Sequence, residues 1–355
     1  MRIALVAESF YPAVDGTTTT VKAVADHLVE AGHRVLLVAP APGLGSYRGA
    51  RVVRVRRPRR SDQVRAALAE FGPELVHVTS PGPLGRRALE HARALGARTL
   101  VAQQTPVPSS YAETWRAKVG ERADAVVVTS AWMTGQVERL GVRPRLWQPG
   151  VDTRAFGPQL RDDFQHARWA RAGAPDGPRV VVGFVGALER RHHVADLAQL
   201  ASLPGTRLVV VGDGSQRRWL SSRLPDARFT GPLGTGDLTR ALAAFDVLVH
   251  PGRRETCCHS LREAAASGVP VVAPAAGGAV DVVRPLQTGL LYDPGRPLGL
   301  AEAVAAVAAD PRRALLGARG RELAVRRDWH AAVTELVDRH YAPLLGRGAT
   351  GPSAA

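Results

Sequence analysis

Short apolar, β-branched runs alternate with amphipathic helical stretches along this chain, and the alternation stops once and starts again. The first series predicts strands at Arg2–Ala7, Val35–Ala39, Val52–Val55, Leu75–Thr79, Thr99–Gln103 and Ala125–Thr129. Helical patterns lie between them at Thr19–Ala31, Asp62–Phe71, Leu84–Leu95 and Ala131–Leu140. Runs that are apolar on both faces, joined by helical crossovers, specify parallel sheets covered on both sides. The second series predicts strands at Val180–Val185, Arg207–Val211, Ala227–Phe229, Val247–His250 and Val269–Ala273. Val151–Gly177 is polar, without a clear strand, and reads as a linker.

The expected fold class is therefore α/β, with two doubly wound Rossmann-like domains facing across a cleft. The predicted division is 1–152, then 153–330, a helix over 331–345, and a frayed tail over 346–355. A length of 355 residues suits two domains, and 45% hydrophobic residues exclude wholesale disorder. The two cysteines, Cys257 and Cys258, are adjacent and cannot staple distant segments, so a secreted disulfide scaffold is excluded and a reducing compartment expected. No apolar run reaches the ~18 residues of a membrane span. The N-terminus reads as a strand rather than a signal peptide.

The net charge is +15, and only Lys22 and Lys118 of the basic residues are lysines. Such arginine bias, with abundant Ala and Gly, reflects base composition more than function. One segment is locally dense: Arg51 to Arg60 holds six arginines and no acid. It reads as a solvated edge strand or as a contact for an anionic surface, with Arg54, Arg56, Arg57, Arg59 and Arg60 as the contacts. No nucleic-acid-binding motif accompanies it, so lipid headgroups are favoured and nucleic acid is not expected.

Ligands of open parallel sheets sit at the carboxyl ends of the strands. Two strand ends carry chemistry. The first is Glu8-Ser-Phe-Tyr-Pro-Ala-Val-Asp15-Gly16, followed by four threonines. Gly16 permits close backbone approach, and the helix start offers N–H groups to phosphate or sugar oxygens. The loop is not GxGxxG, which disfavours a dinucleotide. The second is the run from His250 through Glu255, Cys257, Cys258, His259, Ser260, Leu261 and Glu263 to Gly278. Here a strand ends near His250 and a helix begins near His259. Amides around Cys258–Leu261 suit a diphosphate, and each of two carboxylates can accept from a vicinal diol. A nucleotide sugar has this make-up. The cysteines lack a nearby base and read as packing residues. His77 and His250 read as packing or hydrogen-bonded residues, and Trp147 as hinge packing. His192 and His193 diverge and lack a third ligand, so no metal is expected.

These motifs resemble retaining glycosyltransferase family 4, whose mark is two glutamates separated by seven residues, as Glu255 and Glu263 are. The chain looks most like actinobacterial GDP-mannose-dependent α-mannosyltransferases acting on lipid acceptors. It reads ESFYPAVDG for their ESF-x-P-x-V-NG, and ETCCHSLREAAASGVPVVAPAAGG for their ETFCQTVQEALASGVPVVAPAAGG. The resemblance implies the GT-B fold, retention, and no metal or other cofactor. It implies hexose transfer, with mannose from GDP-mannose expected over a UDP-hexose, to a lipid-linked or small glycosidic acceptor. The setting would be cytoplasmic, peripheral on the inner membrane face. Glu255 would bind the transferred sugar, Glu263 the ribose, and amides of His259 and Ser260 the diphosphate. Gly16 and Gly186 would approach the donor. Gln104 would lie near the anomeric carbon, and Glu8, Asp15 and Thr105 on the acceptor side. The last helix, over 331–345, would cross back to the N-terminal domain, and domain closure would hinge near Asp152.

Three departures stand out. Where the family carries GR-L-x-x-EK, this chain has Ala187 for the arginine and His192 for the lysine. Loss of leaving-group charge should cost several kcal/mol unless Arg190 or Arg191 compensates. Gln103-Gln-Thr-Pro106 replaces a QTD sequence, and the segment from Tyr111 to Ala123 is short. Two other readings stay open: a catalytically weakened relative that binds a nucleotide sugar or glycan, and another enzyme on this architecture, such as a sugar-nucleotide epimerase or a phosphorylase.

Overall fold

The computed structural model describes residues 1–13, 15–172 and 177–346. The chain divides into two compact units. Met1–Pro149 joins the segment from Trp329 in the first, and Gly150–Asp328 forms the second. The tail expected beyond Gly346 lies outside the described residues.

The sheet of the first unit contains β1 (Arg2–Val6), β2 (Arg34–Pro40), β3 (Ser46–Tyr47), β4 (Ala50–Val55), β5 (Leu75–Val78), β6 (Arg98–Gln103), β7 (Ala125–Val128) and β8 (Arg145–Leu146). Their order is β3-β4-β2-β1-β5-β6-β7-β8. All pairings are parallel except the two-residue return of β3 on β4. Both faces of β1 are buried, as its unbroken apolar run requires: Ile3 and Leu5 enter one core, Ala4 and Val6 the other. The first core is closed by helix Gly16–Glu30 and by Trp329–Leu336 from the far end of the chain. Trp147 belongs to this core, fully buried, and its indole N–H donates to the Ala332 carbonyl at 2.8 Å.

The second unit holds β9 (Val180–Val185), β10 (Thr206–Val211), β11 (Arg228–Gly231), β12 (Val247–Val249), β13 (Val271–Pro274) and β14 (Gly289–Tyr292), in the order β11-β10-β9-β12-β13-β14. Its named strands pair in parallel. Alternation again splits β9: Val181 enters one core, Val182 and Phe184 the other. The strand order reverses beside β9, between β10 and β12, so the loops after β9 and β12 are neighbours at the carboxyl end of the sheet.

The architecture of two parallel-sheet α/β domains is as expected, and the details differ in three places. Strands β3, β8 and β14 escape the sequence reading because two-residue edges and a Gly-Leu-Leu-Tyr run carry little periodicity. Val151–Gly177 is not bare linker. It contains helix Asp163–Arg171, whose polar outer face hides the burial of Trp169 and Ala170. The C-terminal segment is helical at Trp329–Leu336, widens at Val337–Tyr341 and ends with Ala342–Leu344.

Candidate active site

The second unit concentrates the chemistry at β9 and β12. After β9, the chain passes Gly186 and Ala187 to Leu188, which is buried and anchors the loop. The Leu188 amide donates to the Asp213 carbonyl and its carbonyl accepts from the Gln216 amide, each at 2.8 Å. The neighbouring strand end needs glycine: Gly212 has φ +132°, and a Cβ there would collide with the Gly186 carbonyl. Glu189 is held by the Ser215 amide at 3.2 Å and hydroxyl at 2.8 Å. A single turn over Arg190–His192 follows, closed by left-handed His193.

After β12, buried His250 accepts from the Gly252 amide at 3.1 Å through Nδ1 and packs on Phe184 with ring centroids 5.7 Å apart. Glu255 is fixed at its backbone, where its carbonyl accepts from the Gly278 amide at 2.6 Å. Its Oε1 accepts from His192 Nδ1 at 2.7 Å. Burial opposes ionisation of Glu255. The bond from His192, with His250 and His259 nearby, outweighs that and holds the pKa at about 2. The carboxylate is therefore ionised at neutral pH.

Cys258 is left-handed, φ 51°, and precedes helix His259–Ala266 without offering a side-chain oxygen to its first turn. Behind it, buried Arg262 donates from Nε to the Cys257 carbonyl at 3.0 Å, locking the loop from inside. Glu263 stands in the second turn, and burial raises its pKa to about 7. Thus two carboxylates with opposite shifts flank one uncapped helix start. Gly186, Arg190, Arg191, His192, Glu255, Cys258, His259, Ser260, Leu261 and Glu263 all belong to these two loops and this helix. The His192–Glu255 bond joins residues 63 apart, and nothing in their spacing signals it.

In the first unit, Glu8, Asp15 and Gln104 bond to the backbone around them. Glu8 accepts from the Leu84 and Gly85 amides at 2.7 and 2.9 Å, so its carboxylate caps helix Pro83–Ala94. Burial nevertheless raises its pKa. Asp15 caps helix Gly16–Glu30, accepting from the Thr18 amide at 2.8 Å, and Gly16 opens that helix. Gln104 is 2% exposed and its amide donates to the Thr79 carbonyl at 2.6 Å. Thr105 is exposed, and its carbonyl accepts from Gln103 at 2.5 Å. Gln103 Oε1 in turn accepts from Trp115 Nε1 at 2.7 Å, a link the sequence reading missed.

Arg54 also departs from expectation. Its guanidinium donates to the Leu44, Pro40 and Tyr11 carbonyls at 2.9, 3.2 and 2.7 Å and lies over Phe10. It ties two loops together and does not face outward. Arg56, Arg57 and Arg59 are exposed, whereas Arg60 is half-buried beside Glu8. Two cavities lie away from these residues. One of about 280 Å³ touches Arg207 and Pro225, and one of about 350 Å³ is lined by His27, His33 and His330. Among the described residues no helix is long and apolar enough to cross a membrane.

Known proteins share the sequence and the fold of this chain. Residues 14–155 match the profile of Glycosyltransferase Family 4, and residues 179–310 that of Glycosyl transferases group 1. A GDP-mannose-dependent alpha-mannosyltransferase of Mycolicibacterium smegmatis is 40% identical over 98% of this chain and 98% of its own length. The enzyme of that name from Mycobacterium tuberculosis is 38% identical over 99% and 98%. Among solved structures, a sucrose-phosphate synthase from Thermosynechococcus elongatus superposes with a TM-score of 0.79 at 24% identity, covering 97% of this chain and 99% of its own. Anabaena HepE in complex with UDP and glucose superposes with a TM-score of 0.81 at 18% identity, covering 96% and 100%. With two parallel-sheet domains of GT-B type and a paired-glutamate loop after β12, the chain belongs to glycosyltransferase family 4.

Proposed function

We propose that the protein is a retaining mannosyltransferase that takes mannose from GDP-mannose. The observation that carries this reading is the pair of carboxylates around helix His259–Ala266: ionised Glu255 before it and Glu263 in its second turn. Glu255 accepts from hydroxyls of the transferred sugar, the first-turn amides take the diphosphate, and Glu263 takes the ribose diol. The names of the relatives that align over nearly the full chain favour GDP-mannose over a UDP-hexose. In transfer, the bond from the anomeric carbon to the diphosphate breaks. A bond to the acceptor hydroxyl forms on the same face, and that hydroxyl's proton leaves with the phosphate. Helix amides and arginine act on the diphosphate, so the reading includes no metal.

The acceptor in this reading is a lipid-linked or small glycosidic hydroxyl, taken by the first unit. Exposed Arg56, Arg57 and Arg59, with Leu44 77% exposed on the loop that Arg54 holds, support contact with an anionic cytoplasmic membrane face.

The test is incubation with GDP-mannose, UDP-glucose and UDP-GlcNAc in turn, with and without a lipid extract, following nucleoside diphosphate release. Lipid-dependent release of GDP alone is expected. Release from UDP-glucose alone would replace the donor, and lipid-independent release would replace the acceptor.

A further inference from the structure

A diphosphate beside an ionised carboxylate needs positive charge close by. In the second unit arginine must supply it, because both lysines, Lys22 and Lys118, lie in the first. Two imidazoles of these loops, His250 and His193, are held toward the neutral form. Burial lowers the pKa of His250. Burial, then the Arg253 guanidinium, lowers that of His193. His192 is defined by its bonds. Arg191 Nε can only donate, and it donates to His192 Nε2 at 3.2 Å. His192 Nδ1 lies 2.7 Å from Glu255 Oε1, so the ring bridges a guanidinium and a carboxylate.

Four arginines stand on the two loops. Arg253 is occupied by Asp196 at 2.9 Å. Arg190 and Arg254 have no hydrogen bond that fixes their side chains among the described residues. Arg191 is fixed through Nε alone, which leaves its four terminal N–H donors for a ligand.

We propose that Arg191 is the residue that binds and neutralises the donor's diphosphate, and that His192 is its positioning residue, holding it beside Glu255. The proposal rests on the donor reading above. It is tested by calorimetric titration of the full-length protein with GDP, UDP and guanosine at one ionic strength. Arg191→Gln should weaken GDP binding at least tenfold and leave guanosine binding within twofold. His192→Phe should show the same selective loss, and the double variant should be no worse than Arg191→Gln, since both act through one guanidinium. Arg254→Gln, an exposed control, should stay within twofold. Unchanged GDP affinity in Arg191→Gln, or an equal loss in Arg254→Gln, overturns the assignment. A wild-type protein that binds neither nucleoside diphosphate overturns the donor reading and this proposal with it.

Discussion

His192 Nδ1 donates to Glu255 Oε1 across 2.7 Å and thereby joins the loop after β9 to the loop after β12. The bond helps keep Glu255 ionised down to about pH 2. Glu255 therefore contributes no acid limb to the pH–rate profile between pH 4 and 8. Glu255→Gln retains shape and loses charge, and should lower kcat/KM by roughly 100-fold or more, the scale of a lost transition-state hydrogen bond in a preorganised site. Steady-state donor kinetics from pH 4 to 8 check both statements.

Glu263 behaves in the opposite sense. Its carboxyl goes from 4.5 to about 7 through burial, so the folded state holds the proton more tightly than the unfolded state. Stability then falls as pH rises from about 4.5 to about 7 and is level above. Glu263→Gln removes this penalty. It should stabilise the ligand-free protein by up to about 3 kcal/mol at pH 8 and by little at pH 5. Urea unfolding at the two pH values reads the difference. The same variant should bind GDP more weakly, which sets stability against function at one side chain.

A buried cluster lies in the first unit. His77 Nδ1 and the Tyr341 hydroxyl are 2.6 Å apart, and His77 is pushed down to about 3 by burial, with His340 adding to the effect. The unfolded chain takes up a proton near pH 6.5 that the folded chain resists. Stability from this group is complete above pH 6.5 and is lost as pH falls toward 3. Tyr341→Phe strands His77 Nδ1 in the core and should cost about 1–3 kcal/mol at pH 7. Thermal unfolding of wild type and variant across pH 4–8 measures both effects.

The arginine-rich segment divides into inward and outward members. Arg54→Gln breaks three bonds to loop carbonyls and should destabilise the protein by about 2–4 kcal/mol. Replacing Arg56, Arg57 and Arg59 together by Gln should leave the melting temperature within about 2 °C. It should abolish sedimentation with vesicles containing anionic lipid. Retained vesicle binding in the triple variant would sink the membrane contact.

The sheets and the paired glutamates were legible because both are local signals. Apolar runs of four to six residues mark strands, and the spacing of Glu255 and Glu263 marks a loop followed by a helix. What escaped was set by tertiary contact. Glu8 looks like a ligand-binding acid in sequence, yet it meets the amides of Leu84 and Gly85, 76 and 77 residues further along the chain. Arg54 sits among five arginines with nothing to distinguish it, and only the approach of the Tyr11 and Leu44 carbonyls turns it inward. His192 reads as the loss of a cation, and its bond to Glu255 depends on two strands being neighbours.

The most direct test of the account is GDP release from GDP-mannose with a lipid extract, compared between wild type and Glu255→Ala. The account predicts lipid-dependent release by wild type and a loss of about 100-fold or more in the variant, with its melting temperature unchanged. Release that persists in Glu255→Ala would contradict it and place the donor site elsewhere.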